Sequence, residues 1–132
     1  YNPQAINLVD AAVARPADEF QIVDEILDIG LVSGMMPAEL GMQVRKSGRT
    51  TGLTQGDVVV MDATVSISYG TEKIATFEDQ ILTTPMSQGG DSGSLLVTAD
   101  DNIAVGLLFA GSTQSTVYNP IKIVLDCLEV KL

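Results

Sequence analysis

Around residue 92 the chain reads Ser87-Gln-Gly-Gly-Asp-Ser-Gly-Ser-Leu-Leu96, with Ser92 set between an aspartate and a glycine, two glycines ahead of it and an apolar run behind. A hydroxyl in that setting has two readings. It belongs to a tight surface turn, or it is an acyl-transfer nucleophile held up to a substrate carbonyl. The second reading needs a base to take the hydroxyl proton, and imidazole is the usual one. The sequence contains no histidine.

Gly90-Asp91-Ser92-Gly93 nevertheless has the parts of an acyl-transfer site. Gly90 has no side chain to block a carbonyl group, so its N–H and that of Ser92 can converge on one oxygen as a two-donor oxyanion hole. Gly89 and Gly93 let the backbone turn sharply on either side. Two other motifs fail on spacing. A hydrolase elbow, G-x-S-x-G, needs glycine where Ser94 stands and a histidine downstream. Gly48-Arg-Thr-Thr-Gly52 lacks the four-residue gap and the lysine of a phosphate loop. Upstream, Leu8-Val-Asp-Ala-Ala-Val13 sets the carboxylate of Asp10 in an apolar segment, where burial without a partner would be costly. It is either a working carboxylate or a loop or helix-capping aspartate near the N-terminus.

The elements that must hold these residues are short. At 132 residues the chain fits one domain able to bury a real core, and its 45% apolar and 18% charged residues exclude a disordered chain. No stretch approaches the length of a membrane span. Seven basic against seventeen acidic side chains give a net charge of -10, which disfavours nucleic acid as a partner. The early acids Asp18, Glu19, Asp24, Glu25 and Asp28 read as a solvated face. The single cysteine, Cys127, cannot form an internal disulfide and is expected to be a buried, inert thiol. No signal peptide is visible near Tyr1, no metal or cofactor is implied, and the compartment is left open.

Past residue 40, β-like runs bounded by turn residues predict an all-β sandwich or barrel. The runs are Met42–Lys46, Asp57–Met61, Ala63–Tyr69, Ile81–Thr84, Ser94–Thr98 and Ile103–Phe109. In the third, Val65, Ile67 and Tyr69 alternate with Thr64, Ser66 and Ser68. Ala99-Asp-Asp-Asn102 reads as a hairpin turn. Beyond Pro120, which suits a first helical turn, Ile121, Val124, Leu125 and Leu128 follow helical spacing and predict one closing helix. Residues 14–41 look like a long connection with one or two short strands.

In order along the chain, Lys46-Ser-Gly-Arg-Thr-Thr-Gly-Leu-Thr-Gln-Gly-Asp-Val58, the stretch Ile81–Val97 and Ile103-Ala-Val-Gly-Leu-Leu-Phe-Ala-Gly111 resemble the chymotrypsin-fold serine peptidases. The likeness is to the bacterial branch that includes streptogrisin-like and alpha-lytic-like enzymes. These stretches are similar to the opening of the second barrel, the nucleophile loop with its following strand, and the strand that binds substrate backbone. The likeness runs from about residue 42 to residue 128. It implies a six-stranded antiparallel Greek-key barrel with a C-terminal helix over 42–132, with 1–41 the tail of a first barrel and the connection between barrels.

By the same resemblance Ser92 would be the nucleophile, Gly90 and Ser92 the oxyanion donors, and Asp91 a structural carboxylate bracing the loop. Asp10 would hold the imidazole in its productive tautomer. Met86, Ser87 and Gln88 would line a specificity pocket opposite Phe109, Ala110 and Gly111, although Met86 reads equally as core packing. No acid stands at the floor, so the preference implied is for an apolar or small side chain. The histidine belongs upstream of Asp10, so the chain is expected to be a C-terminal fragment with negligible turnover of its own. Its partners would be a polypeptide substrate and the N-terminal half of the same protein. Two departures stand out: Ser94 replaces the usual glycine, and no disulfides brace the loops. They leave room for two rivals, a non-catalytic peptidase-like module that binds peptides or proteins, and a structural domain whose glycine loop is only a turn.

Overall fold

The computed structural model describes residue 2 and residues 4–132, with the backbone alone at residue 21. It contains seven strands and two helical pieces: β1 (Ile6–Asn7), a 3-10 turn (Glu19–Gln21), β2 (Gln43–Gly48), β3 (Gly52–Ser68), β4 (Ile74–Thr83), β5 (Leu95–Thr98), β6 (Ala104–Gly111), β7 (Thr116–Pro120) and α1 (Ile121–Leu128). Hydrogen bonding runs β1-β4-β3-β2-β5-β6-β7, and β4 also pairs with β7. Strands β2 to β7 therefore close into a ring of six, all paired antiparallel. β2, β3 and β4 follow one another as hairpins and β5 returns beside β2, which is Greek-key order. The expected all-β architecture with a closing helix is the one found.

The core fills the ring. Val44, Val58, Ile81, Leu96, Val105, Leu108 and Tyr118 pack together, one or more from every strand from β2 to β7. Alternation explains how: in β2, Val44 and Lys46 are buried while their neighbours are less so. β4 has one edge shared by two partners. Thr76 and Phe77 pair in parallel with Ile6 and Asn7. Farther along, Ile81 to Thr83 pair with Tyr118 to Thr116. The N-terminal segment is thus tied to the outside of the ring just where β7 leaves off.

Several expectations change. Asp57–Met61 and Ala63–Tyr69 are one strand of 17 residues, β3. Asp62 adopts φ 52 amid three register shifts, so a bulge absorbs what reads on sequence as a gap. β4 starts seven residues before the expected Ile81, because a half-exposed hairpin partner needs no continuous apolar run. β7 was not foreseen, since Thr116 to Asn119 are all buried and show no alternation. Residues 14–41 contain no strand among the described residues, only isolated bridges at Ile26–Gly30 and Met35–Ala104. Pro120 is the helix cap and not a first-turn residue.

α1 lays Ile121 and Val124 against the ring, packing on β6 and β7. Cys127 falls off that apolar stripe and is exposed, which corrects the expectation of a buried thiol. The acids at 18, 19, 24, 25 and 28 are all exposed, as a solvated face requires. No helix among the described residues is long and apolar enough to cross a membrane.

Native chain should therefore react stoichiometrically with a thiol reagent without denaturant; a thiol that reacts only in urea would show Cys127 covered. Leu96→Ala empties a fully buried site, and should cost about 2–5 kcal/mol, read as a fall in the urea midpoint at unchanged slope.

Candidate active site

Ser92 lies on the loop between β4 and β5, and it is exposed. Its neighbour Asp91 is fully buried, and that contrast organises the loop. Asp91 Oδ1 accepts from the backbone N–H groups of Thr50 at 2.8 Å and Thr51 at 3.1 Å. Oδ2 accepts from the Thr51 hydroxyl at 2.7 Å and the Gln88 N–H at 2.9 Å. The Lys46 ammonium, also fully buried, stands 3.8 Å from Oδ2 and donates to Thr51 Oγ1 at 2.5 Å and to the Gly52 carbonyl at 2.9 Å. Burial alone would raise the Asp91 pKa, but these four donors outweigh it and hold the carboxyl well below the usual range. Burial lowers the Lys46 pKa, partly offset by the nearby carboxylate.

The tip of the β2–β3 hairpin thus grips the serine loop from below. Gly48 permits the grip, since a Cβ there would run into the Asp91 carboxylate and lie 2.8 Å from Ser94 Oγ. Thr50 Oγ1 adds a bond to the Gly89 carbonyl at 2.8 Å. On its other side the loop is pinned to β6: Gly93 N–H donates to the Leu108 carbonyl at 2.8 Å, and Leu108 N–H to the Ser94 carbonyl at 3.0 Å. Ser94 N–H and hydroxyl both donate to the Asp91 carbonyl. Gly90 takes φ 101 and Gly93 φ 89, left-handed conformations that favour glycine. Asp91 N–H is spent on the Gln88 carbonyl at 3.1 Å, whereas the N–H groups of Gly90 and Ser92 meet no acceptor among the described residues.

Beside the loop opens a cleft of about 710 Å³, between residues 85–89 on one wall and 110–113 on the other, with Thr51, Thr54 and Leu108 completing it. Met86, Ser87, Gln88, Ala110 and Gly111 all line it. Met86 is also part of the core, its side chain 4% exposed. Phe109 is on the other side of β6: it stacks on Phe77 with centroids 4.9 Å apart and lines a neighbouring cleft that includes Tyr69. The register shift between Leu108 and Ala110 falls at Phe109, and Ala110 lines both clefts.

Asp10 is exposed, not buried, and follows β1 in irregular chain. The fully buried amide of Asn119 clamps its backbone, Nδ2 donating to the Asp10 carbonyl at 3.0 Å and Oδ1 accepting its N–H at 3.1 Å. The buried Gln80 amide holds the Leu8 carbonyl at 2.9 Å. The carboxylate accepts a hydrogen bond from the Tyr69 hydroxyl. Burial and that bond push the Tyr69 pKa up. Asn119 pairs with Leu107 on β6, one residue from the Leu108 that anchors Gly93 on the strand's opposite edge. Asp10 therefore attaches to β7 and the serine loop to β6, at neighbouring positions of that strand pair.

Lys46, Thr50, Tyr69 and Asn119 make these contacts, and motif reading did not single them out. Only Lys46 carried a usable signal: it shares the inward face of β2 with Val44, and a charge there needs a partner. Among the described residues no group of three or more Asp, Glu or Cys side chains is placed to hold a metal ion.

No family model and no curated protein matches the chain. Solved structures do. Cellulomonas bogoriensis chymotrypsin is 28% identical over 77% of this chain and 55% of its own length, with TM-score 0.67. Thermobifida fusca protease A is 29% identical over 77% and 54%, and Nocardiopsis protease 28% over 79% and 54%, each with TM-score 0.67. The chain spans about half the length of these relatives. Over that span its fold, mostly strands with one short C-terminal helix, is similar to that of the bacterial chymotrypsin-fold serine proteases.

Proposed function

We propose that the chain is the nucleophile-bearing part of a serine endopeptidase acting on polypeptides. Ser92 attacks the carbonyl carbon, the N–H groups of Gly90 and Ser92 stabilise the oxyanion, and Asp10 orients a histidine that comes from polypeptide outside these 132 residues. Asp91 takes no part in proton transfer; it braces the loop. The observation that carries the reading is the pairing of an exposed Ser92 with a buried, five-partnered Asp91 beside a cleft. The 28–29% identity to serine proteases supports it.

Exposed apolar side chains support a partner polypeptide. Phe20, Val23 and Leu27 stand 99%, 76% and 77% exposed in the segment assigned to the first barrel's tail and the connection. A nearly fully exposed phenylalanine among two more large apolar side chains within eight residues is a segment that a partner surface would cover. One observation favours the rival, a peptidase-like module that binds peptides without cutting them: the Asp10 carboxylate already engages Tyr69.

Since triad members act as a unit, the chain alone should react with a fluorophosphonate roughly 10³-fold or more slowly than an intact serine protease. Rapid labelling of Ser92 would show that a base is present within the chain. The bracing role predicts a pH dependence. A carboxyl with a depressed folded pKa contributes stability that is fully present above its unfolded pKa, about 3.9, and is lost as pH falls toward the folded value. Urea midpoints should therefore drop below pH 4. Asp91→Asn should cost about 3–5 kcal/mol at pH 7 by leaving Lys46 uncompensated, and should flatten that acid limb. A wild-type-like midpoint for the variant would remove the brace.

A further inference from the structure

We infer that the cleft beside Ser92 selects a side chain that is uncharged yet hydrogen-bonding, the carboxamide of glutamine before all, at the residue preceding the scissile bond; this rests on the peptidase reading above. Five hydroxyls line the cleft, from Thr51, Thr54, Ser87, Ser112 and Thr113. Two are spent within the fold. Thr51 donates to Asp91 Oδ2, and Thr54 donates to the Met86 carbonyl at 2.7 Å.

The remaining three belong to residues that line the cleft, Ser87 half-buried and Ser112 and Thr113 exposed at its rim, and they have capacity in hand. Ser112 Oγ accepts the N–H groups of Gln114 and Ser115 at 3.1 and 3.3 Å, so its own proton has no acceptor among the described residues. The Thr113 hydroxyl has no partner among them either. Ser87 Oγ shares one hydrogen with Thr116 Oγ1 at 3.0 Å and keeps a further site open. Gly111 keeps the cleft open toward Ser87, because a Cβ there would stand 2.8 Å from Ser87 Oγ.

Charge decides between the candidates for this site. None of the lining residues is ionisable, so an ammonium or guanidinium entering the cleft meets no carboxylate. A carboxylate meets no cation and must approach a chain of net charge -10. Each would lose hydration without a compensating ion pair, whereas a carboxamide both donates and accepts and carries no charge to desolvate. A purely apolar side chain fits the volume but, in covering the Ser87, Ser112 and Thr113 hydroxyls, takes them from water without offering a partner, and sites that hydrogen-bond a substrate discriminate against such analogues.

The test uses tripeptide acids, acetyl-Ala-Ala-X, with X glutamine, leucine, glutamate or lysine, titrated into the 132-residue chain while backbone amide shifts are followed by NMR. Binding needs no base, so the missing histidine does not interfere. The expected result is glutamine bound at least tenfold more tightly than glutamate or lysine and more tightly than leucine, with the lead over leucine lost in Ser112→Ala/Thr113→Val. Leucine equal to or ahead of glutamine, or either charged peptide matching it, overturns the specificity while shifts at Gly89–Gly93 still uphold the peptidase reading. If none of the peptides moves those amides, the peptidase reading falls and the specificity with it.

Discussion

A carboxylate buried away from water is tolerated only where its lone pairs are all engaged, and Asp91 is such a group. Two backbone N–H groups from one hairpin tip, a third from its own loop, a threonine hydroxyl and a buried lysine converge on it. Asp91 is drawn inward while Ser92, the next residue, is exposed, so the loop presents its hydroxyl to solvent from an anchored base. The same anchor joins β2 and β3 to the loop between β4 and β5, parts of the ring that are not adjacent through their strands at that level.

Glycine makes this geometry attainable at two positions in particular. Gly90 turns into left-handed conformation, where any Cβ would meet Thr50 Oγ1, and the turn leaves its N–H free. Gly48 lets the hairpin tip come close enough for its amides to reach Asp91. The ring supplies rigidity on the far side, through the Gly93–Leu108 and Leu108–Ser94 bonds to β6. A loop held from both faces keeps its N–H donors fixed, as the oxyanion stabilisation proposed for it would demand.

The N-terminal segment is attached more lightly. Two buried amides, Asn119 and Gln80, grip its backbone through directional hydrogen bonds, while its large apolar side chains face water. That balance keeps Asp10 against β7 without giving it a core of its own. Gln80 Oε1 and, on β2, Arg45 Nε are buried without a partner among the described residues.

Much of this was legible in the residues. The glycine-flanked Ser92, the all-β class and the helix after Pro120 follow from local chemistry and from the periodicity of two or 3.6, which a linear reading can count, whereas Ser87 and Gly111 as lining residues came only from the family resemblance. What escaped depended on partners distant in sequence. Lys46 and Asp91, Asp10 and Tyr69, Asp10 and Asn119 lie 45, 59 and 109 residues apart. β7 hid because burial on both faces erases alternation, and the gap at Asp62 hid a bulge inside one strand. Periodicity reports which face a residue takes; only the closing of the ring decides what it meets there, because satisfying a buried polar group is a property of two segments and not of one.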